Sequence, residues 1–314
     1  MGISKKTFSF RSKYDDVMIH GICMIPEEPI GIFQMVHGMC EHKERYIFFM
    51  EWMAKKGYVA LMHDNRGHGE SVKQPEDIGY CYQSAQKGYI EDIYAVTCFI
   101  KKEFPHLPLI LYGHSMGSLG VRSYLRNHDE AVDGLIVAGC PSYNSAVRPA
   151  KLLLKTVGLV KGEKYRSAHL QNMVVGRFEK AFKEEHRQFA WLSVKEDVTE
   201  NFKADELCNF VYTLNGIITL LNLEIITYKS DGFQVKNPEL PVLFVSGKDD
   251  PCYVSEKKWE QAILRMYTLG YENVTEIRYK GMRHEIHNEA EREKVFRDIE
   301  TFCNQVVKDK YEGI

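Results

Sequence analysis

The stretch LILYGHSMGSLGV, residues 109–121, decides how the rest of the chain is read. Leu109–Tyr112 is a short apolar run of strand length, and Met116–Val121 opens a helix. Between them stands Gly113-His114-Ser115-Met116-Gly117, a G-x-S-x-G pattern. Alone the pattern recurs by chance. In a strand–turn–helix setting it predicts a sharp elbow that lifts a serine above the sheet edge. The flanking glycines fit that turn, because side chains there would collide with the neighbouring strand and helix. The Met116 N–H, at the helix N-terminus, would then point toward an oxyanion developing next to Ser115.

A serine hydroxyl needs a base, and the base needs an orienter. Elbows of this kind take them in the chain order Ser…Asp/Glu…His. Val242–Val245 is a buried-strand pattern that opens into Ser246-Gly247-Lys248-Asp249-Asp250-Pro251. The next strand pattern, Thr275–Tyr279, leads to Lys280-Gly281-Met282-Arg283-His284-Glu285. Both turns fall at the carboxyl edge of the sheet, where ligands bind in α/β folds. His284 is the expected base. Asp250, deeper in its turn beside Pro251, is preferred as orienter, with Asp249 as the alternative. The second oxyanion donor is expected in His37-Gly38-Met39-Cys40-Glu41-His42, as the Met39 N–H. Asp64-Asn65-Arg66-Gly67-His68-Gly69-Glu70-Ser71 reads as a rigid polar loop buttressing that turn, with Arg66 paired to a carboxylate. His284-Glu285-Ile286-His287 lacks the four-residue spacing that puts two imidazoles on one helical face, so no metal site is expected.

Working outward, apolar strand patterns alternate with helix-period segments. Strands are expected at Val17–Ile25, Ile32–Val36, Val59–Met62, Leu109–Tyr112, Leu135–Ala138, Val242–Val245 and Thr275–Tyr279. Helices are expected at Arg45–Lys56, Tyr89–Lys102, Met116–Asn127, Glu256–Leu269 and Ala290–Val307. Such alternation predicts a mostly parallel sheet covered on both faces. The first two strands, joined through Pro26-Glu27-Glu28-Pro29, read as an antiparallel pair. From Tyr143 to Asn237 the patterns are helical only: Ala150–Val160, Arg177–Phe189 and Phe210–Thr227. A loop of that length is implausible in a compact domain, so a helical cap is expected there. Its most apolar piece carries Ile217, Ile218, Leu220, Leu221, Leu223, Ile225 and Ile226. Ile217, Leu220 and Leu221 are the candidates for lining a substrate tunnel or touching a membrane; the alternative is that they form the cap's own core.

The combination of motifs resembles the monoacylglycerol lipase/lysophospholipase branch of the α/β-hydrolases, the serine aminopeptidase S33-type group. The matching residues are His37–His42 with Arg45-Tyr46, Asp64–Ser71, the Gly113–Gly117 elbow, Gly247–Pro251, and Gly281–Glu285 with Asn288-Glu289. Trp191-Leu192-Ser193 and Asp205–Cys208 with Phe210 and Thr213 add family-like cap residues, so the likeness spans nearly the whole chain. It implies a mostly parallel eight-stranded sheet flanked by helices, with a helical cap between strands 6 and 7. Residues 1–142 and 238–314 would form the core, and 143–237 the cap. It further implies hydrolysis of lipid-like acyl esters, monoacylglycerol or lysophospholipid. Ser115, Asp250 and His284 would form the triad, with Met39 and Met116 as donors. The family's aspartate ends a G-x-x-D pattern, which favours Asp250 over Asp249. Cys40 departs from the family, where a small residue such as Ala is usual.

The remaining chemistry is consistent with that reading. The 41 basic residues against 43 acidic ones, for a net charge of −2, give no general electrostatic reason to bind nucleic acid. No organic cofactor or metal is required. The eight cysteines form no C-x-x-C pair and are expected as free thiols in a reducing cytoplasm. Met1–Lys6 leads into no apolar run, so no signal peptide is expected. A peripheral membrane contact through the cap stays open. With Cys40 expected beside the oxyanion hole, Cys208 in the cap and Cys252 just past Asp250, thiol reagents are expected to inhibit. Three rivals are a short-chain esterase, a peptidase or amidase on the same scaffold, and a non-catalytic binding protein. An aminopeptidase would need an acidic anchor for the substrate amine, and the sequence singles out none.

Overall fold

A computed structural model describes residues 2–312; Met1 and residues 313–314, which fall in the expected core segments, lie outside it. Eight strands form one sheet: β1 (Ile3–Arg11), β2 (Met18–Pro26), β3 (Gly31–Val36), β4 (Tyr58–His63), β5 (Leu109–His114), β6 (Gly134–Ala138), β7 (Val242–Gly247) and β8 (Val274–Tyr279). Their spatial order is β1-β2-β4-β3-β5-β6-β7-β8. β2 runs antiparallel to β1 and β4, and every other pairing is parallel.

The near-continuous apolar runs of β3 to β7 follow from burial on both faces. Along β3, Ile32 and Val36 enter one core, and Phe33 and Met35 enter the other. The first core is completed by α2 (Ala85–Glu103), α3 (Met116–His128) and α8 (Glu256–Leu269). The second is completed by α1 (Ile47–Lys55) and α9 (Arg292–Glu312), where Phe49 and Phe296 stack at 4.3 Å.

Two expectations need correction. β2 does not pair with β3; it pairs with β1 and β4, and β3 lies parallel between β4 and β5. The proline-bounded connection therefore crosses β4 rather than closing a hairpin. β1 itself was not expected: it is a largely exposed edge strand, so its sequence, ISKKTFSFR, carries little apolar signal.

Between β6 and β7 lie four cap helices, α4 (Val147–Lys161), α5 (Ala168–Ala181), α6 (Glu196–Ala204) and α7 (Leu214–Tyr228). The expected Arg177–Phe189 helix is displaced: α5 ends at Ala181, and Phe189 sits at φ 59°. α6 was not expected, because only Thr199 and Phe202 of its nine residues are buried. α7 is the cap's foot. Its Ile217 and Leu221 pack in the cap core, while Leu220 and Leu223 join the core of α2 and α3. Thr227 donates to the Leu119 carbonyl of α3 at 3.0 Å.

α7 also holds the start of the cap. Glu224 is buried and accepts the Asn144 N–H at 2.8 Å. Burial pushes its carboxyl up to about 7, against the pull of that N–H, Arg177 and Arg122. A carboxyl raised in the folded state binds its proton more tightly there than in the unfolded chain. Stability should therefore fall as pH rises from roughly 4.3 toward about 7. Glu224→Gln should remove much of that slope, so its urea midpoint should exceed wild type at pH 8 and approach it at pH 5. Equal midpoints at pH 8 would refute this origin of the slope.

The β5–α3 turn passes close under β3. A Cβ at Gly117 would lie 2.2 Å from the Val36 carbonyl oxygen and 2.7 Å from that of His37. Backbone cannot yield as a flexible side chain can. Gly117→Ala is expected to cost about 1–3 kcal/mol by chemical denaturation; an unchanged midpoint would show that the turn relaxes freely.

Candidate active site

Ser115 caps α3 in the elbow, at φ 53° and ψ −117°. This is a region where a non-glycine residue is strained. The turn is fixed by the Ser115 N–H donating to Ala138 O at 2.9 Å, across to the end of β6. Ser115 is 8 % exposed and lies at the wall of a cavity of about 360 Å³ between core and cap. That is the scale of a small-molecule site.

His284 reaches the same cavity from the loop after β8. Its Nδ1 is 2.9 Å from Asp250 Oδ2. Asp250 follows β7 and is fully held: Oδ1 accepts the Cys252 N–H at 2.8 Å, and Oδ2 accepts the Ser246 hydroxyl at 3.0 Å. Burial alone would raise this carboxyl, but His284 and these donors hold it below the usual carboxylate range. Asp249 is exposed and its backbone N–H serves the Met282 carbonyl, so it takes no part in this pair. No hydrogen bond joins Ser115 Oγ to His284 among the described residues; such bonds often tighten only with substrate in place.

Met39 lines the cavity beside Ser115, and Met116 follows Ser115 in the elbow. Neither backbone N–H is taken up by an acceptor among the described residues. Asn65 supports the Met39 turn from behind: its N–H donates to His37 Nε2 at 2.9 Å and its amide to His37 O at 3.0 Å. The Asp64–Ser71 loop thus buttresses the turn as expected. Arg66 does pair with carboxylates, Asp15 at 2.7 Å and Asp92 at 2.8 Å.

The cap residues expected at the cavity are not there. Ile217, Leu220 and Leu221 are absent from its wall, because α7 spends its apolar surface on packing. The cap contributes α5 instead. Ala168, Gln171, Asn172, Val175, Gly176 and Glu179 recur at three- and four-residue steps and all line the cavity. Phe189, Trp191, Leu192, Phe202, Phe210 and Val211 form the apolar remainder. Glu179 accepts the Trp191 indole N–H at 3.1 Å, and that indole lies 5.0 Å from the His284 ring. The α5 stripe was legible as a periodicity, but its polar residues hide it from a search for apolar faces.

All eight cysteines are free thiols. Cys40 lines the cavity with its thiol 3.3 Å from the Phe210 carbonyl, and Cys252 Sγ is 3.9 Å from His284 Nε2. Yet Cys40, Cys208 and Cys252 are all buried, and burial pushes each thiol up, away from the reactive thiolate. Asp250, Cys252 and His284 could together offer metal ligands, as could His42, Asp205 and Cys208. In the first group the carboxylate and imidazole already satisfy one another.

A family model described as serine aminopeptidase, S33, matches residues 27–291. The chain is 24% identical to a monoacylglycerol lipase of Mycolicibacterium smegmatis over 298 residues, covering 93% of this chain and 96% of that one. It is 24% identical to the phospholipase YtpA of Bacillus subtilis over 287 residues, covering 90% and 98%. Its fold superimposes on a thermostable carboxyl esterase from Bacillus coagulans with a TM-score of 0.89, at 22% identity, covering 97% of this chain and 99% of that one. Sheet order, elbow and matched span lead to one conclusion: the chain belongs to the serine aminopeptidase S33 family of α/β-hydrolases.

Proposed function

We propose that this hydrolase cleaves acyl esters of lipid-like alcohols, of the monoacylglycerol or lysophospholipid kind, through a covalent acyl-enzyme. The reading rests on one juxtaposition: an elbow serine, an Asp250-bound imidazole and the Met39 turn around a single cavity, with the Met39 and Met116 N–H groups unclaimed among the described residues. His284 takes the Ser115 proton as Oγ attacks the ester carbonyl, and the Met39 and Met116 N–H groups receive the oxyanion. His284 then protonates the departing alcohol, and water repeats the sequence on the acyl-enzyme. Asp250 holds the tautomer and offsets the imidazolium charge. In this reading residues 143–237 act as the cap over a core of 1–142 and 238–314.

The relatives' names support a lipid ester, and the mixed wall suits an amphiphile. Polar α5 residues share its lining with aromatic and aliphatic ones. One observation favours the amide rival. Glu179 lines the cavity without a cation partner among the described residues, and so could anchor a substrate amine.

Outside the cavity, α4 carries its own message. Leu152, Leu153, Leu159 and Val160 are exposed, the last two at 87% and 81%. The helix has four cations, Arg148, Lys151, Lys155 and Lys161, and no acidic residue. No helix among the described residues is long and apolar enough to cross a membrane. A basic amphipathic helix of this kind suits an anionic lipid surface.

Two experiments follow. Purified protein should hydrolyse monoacylglycerols or lysophospholipids better than aminoacyl amides, and Ser115→Ala should lose several orders of magnitude in kcat. Full activity in Ser115→Ala would end the assignment. The double variant Leu159→Asp/Val160→Asp should sediment less with anionic vesicles than wild type while keeping its rate on a soluble ester. Equal sedimentation would exclude α4 as the contact.

A further inference from the structure

Glu41 lies two residues past Met39 and has no part in the chemistry above. Its carboxylate is nevertheless 2 % exposed and stands where three loops meet. Oε1 accepts the Gly38 N–H at 2.5 Å and the Tyr46 hydroxyl at 3.0 Å, and lies 3.3 Å from His114 Nδ1. Oε2 accepts Arg45 at 2.6 Å. Arg45 in turn grips both carboxylate oxygens of Glu285, the neighbour of His284, at 2.8 Å each. His114, the neighbour of Ser115, places Nε2 3.2 Å from the His284 carbonyl oxygen. One side chain thus joins the oxyanion turn, the nucleophile elbow and the loop of the base.

The oxyanion turn needs such a hold. Cys40 sits at φ 54°, a left-handed conformation that costs a non-glycine residue roughly 1–3 kcal/mol and persists only where the surroundings impose it. Gly38 packs closely: a Cβ there would fall 2.6 Å from Glu41 Oε1 and 3.0 Å from Ser115 Cβ. With the Gly38 N–H committed to Glu41, the next amide, Met39, is left without an acceptor among the described residues. Burial alone would raise the Glu41 carboxyl, but His114 and Arg45 hold it well below the usual carboxylate range. It therefore stays an anion able to orient all its donors.

Resting on the hydrolase reading above, we propose that Glu41 is a positioning residue. Its carboxylate holds the Met39 N–H, the Ser115 elbow and the His284 loop in one register, so that removing it weakens transition-state binding and leaves substrate binding intact. A purely structural ion pair would instead change stability without a selective loss of kcat.

The test uses the full chain with Glu41→Ala and Glu41→Gln. kcat and KM are measured on a soluble short-chain ester, beside the inhibition constant of a trifluoromethyl ketone that adds to the serine. Glu41→Ala should lose roughly 10²–10³ in kcat, the scale of one oxyanion donor, with KM within about twofold. Ketone affinity should fall in step. Glu41→Gln keeps an oxygen for the Gly38 N–H and should lose about tenfold. Folded variants with kcat within about twofold of wild type, or a loss confined to KM, would overturn the proposal. If Glu41→Ala does not fold, the near-isosteric Glu41→Gln decides. Ser115→Ala in the same assay separates the two readings. An inactive Ser115→Ala beside fully active Glu41 variants refutes the positioning role alone, whereas an active Ser115→Ala refutes the hydrolase assignment.

Discussion

Ser115 at φ 53° is a backbone position that folding has to hold against its own preference, and much of the core can be read as the means of holding it. β5 delivers it from the middle of the sheet, with β3 on one side and β6 on the other. The Ala138 carbonyl of β6 anchors its N–H, and the Val36 carbonyl of β3 leaves no room for a Cβ at Gly117, two residues on. Those contacts exist only if the parallel strands keep their register. The strain is therefore supported by the sheet itself rather than by a local loop.

Around that elbow the structure buries several charges, and their arrangement explains why this is tolerable. A buried carboxylate without partners would take up a proton instead of keeping its charge. Asp250 has an imidazole, a hydroxyl and a backbone N–H. Glu41 and Glu285 share Arg45, and Glu285 also accepts the Asn288 amide at 2.7 Å. Each such group has at least one partner on a different loop, so the charges tie loops together that the chain leaves far apart. Rigidity and electrostatics have the same origin here.

Much of this was legible in the sequence. The strand–turn–helix about Ser115, the order of Asp250 and His284, and the continuous apolar runs of β3 to β7 all follow from local pattern, because both faces of those strands are covered. What escaped had no such local signature. β1 is an exposed edge, and β2 lies beside β4 because of a crossover that no turn residue announces. Glu41 reads as one more acidic residue until the fold brings Gly38, Tyr46, His114 and Arg45 around it. The apolar richness of α7 pointed to the wrong surface, since Ile217, Leu220 and Leu221 are spent on packing the cap to itself and to the core.

The cap shows why apolar content alone misleads about a site. In a helix that only packs, apolar residues face inward and polar ones outward. α5 turns Gln171, Asn172 and Glu179 toward the cavity, and α4 turns Leu159 and Val160 toward solvent. The α4 exposure costs stability in an isolated domain, since its apolar groups meet water, whereas the α5 stripe is partnered or exposed: Gln171 and Glu179 accept N–H groups and Asn172 is open to solvent. A substrate with a polar head and an apolar chain, drawn from a lipid surface, would make use of both. The head would meet the α5 stripe and the surface would cover α4. A small soluble ester would account for the first inversion and leave the second without a cause. On that asymmetry the lipid reading stands ahead of the short-chain one.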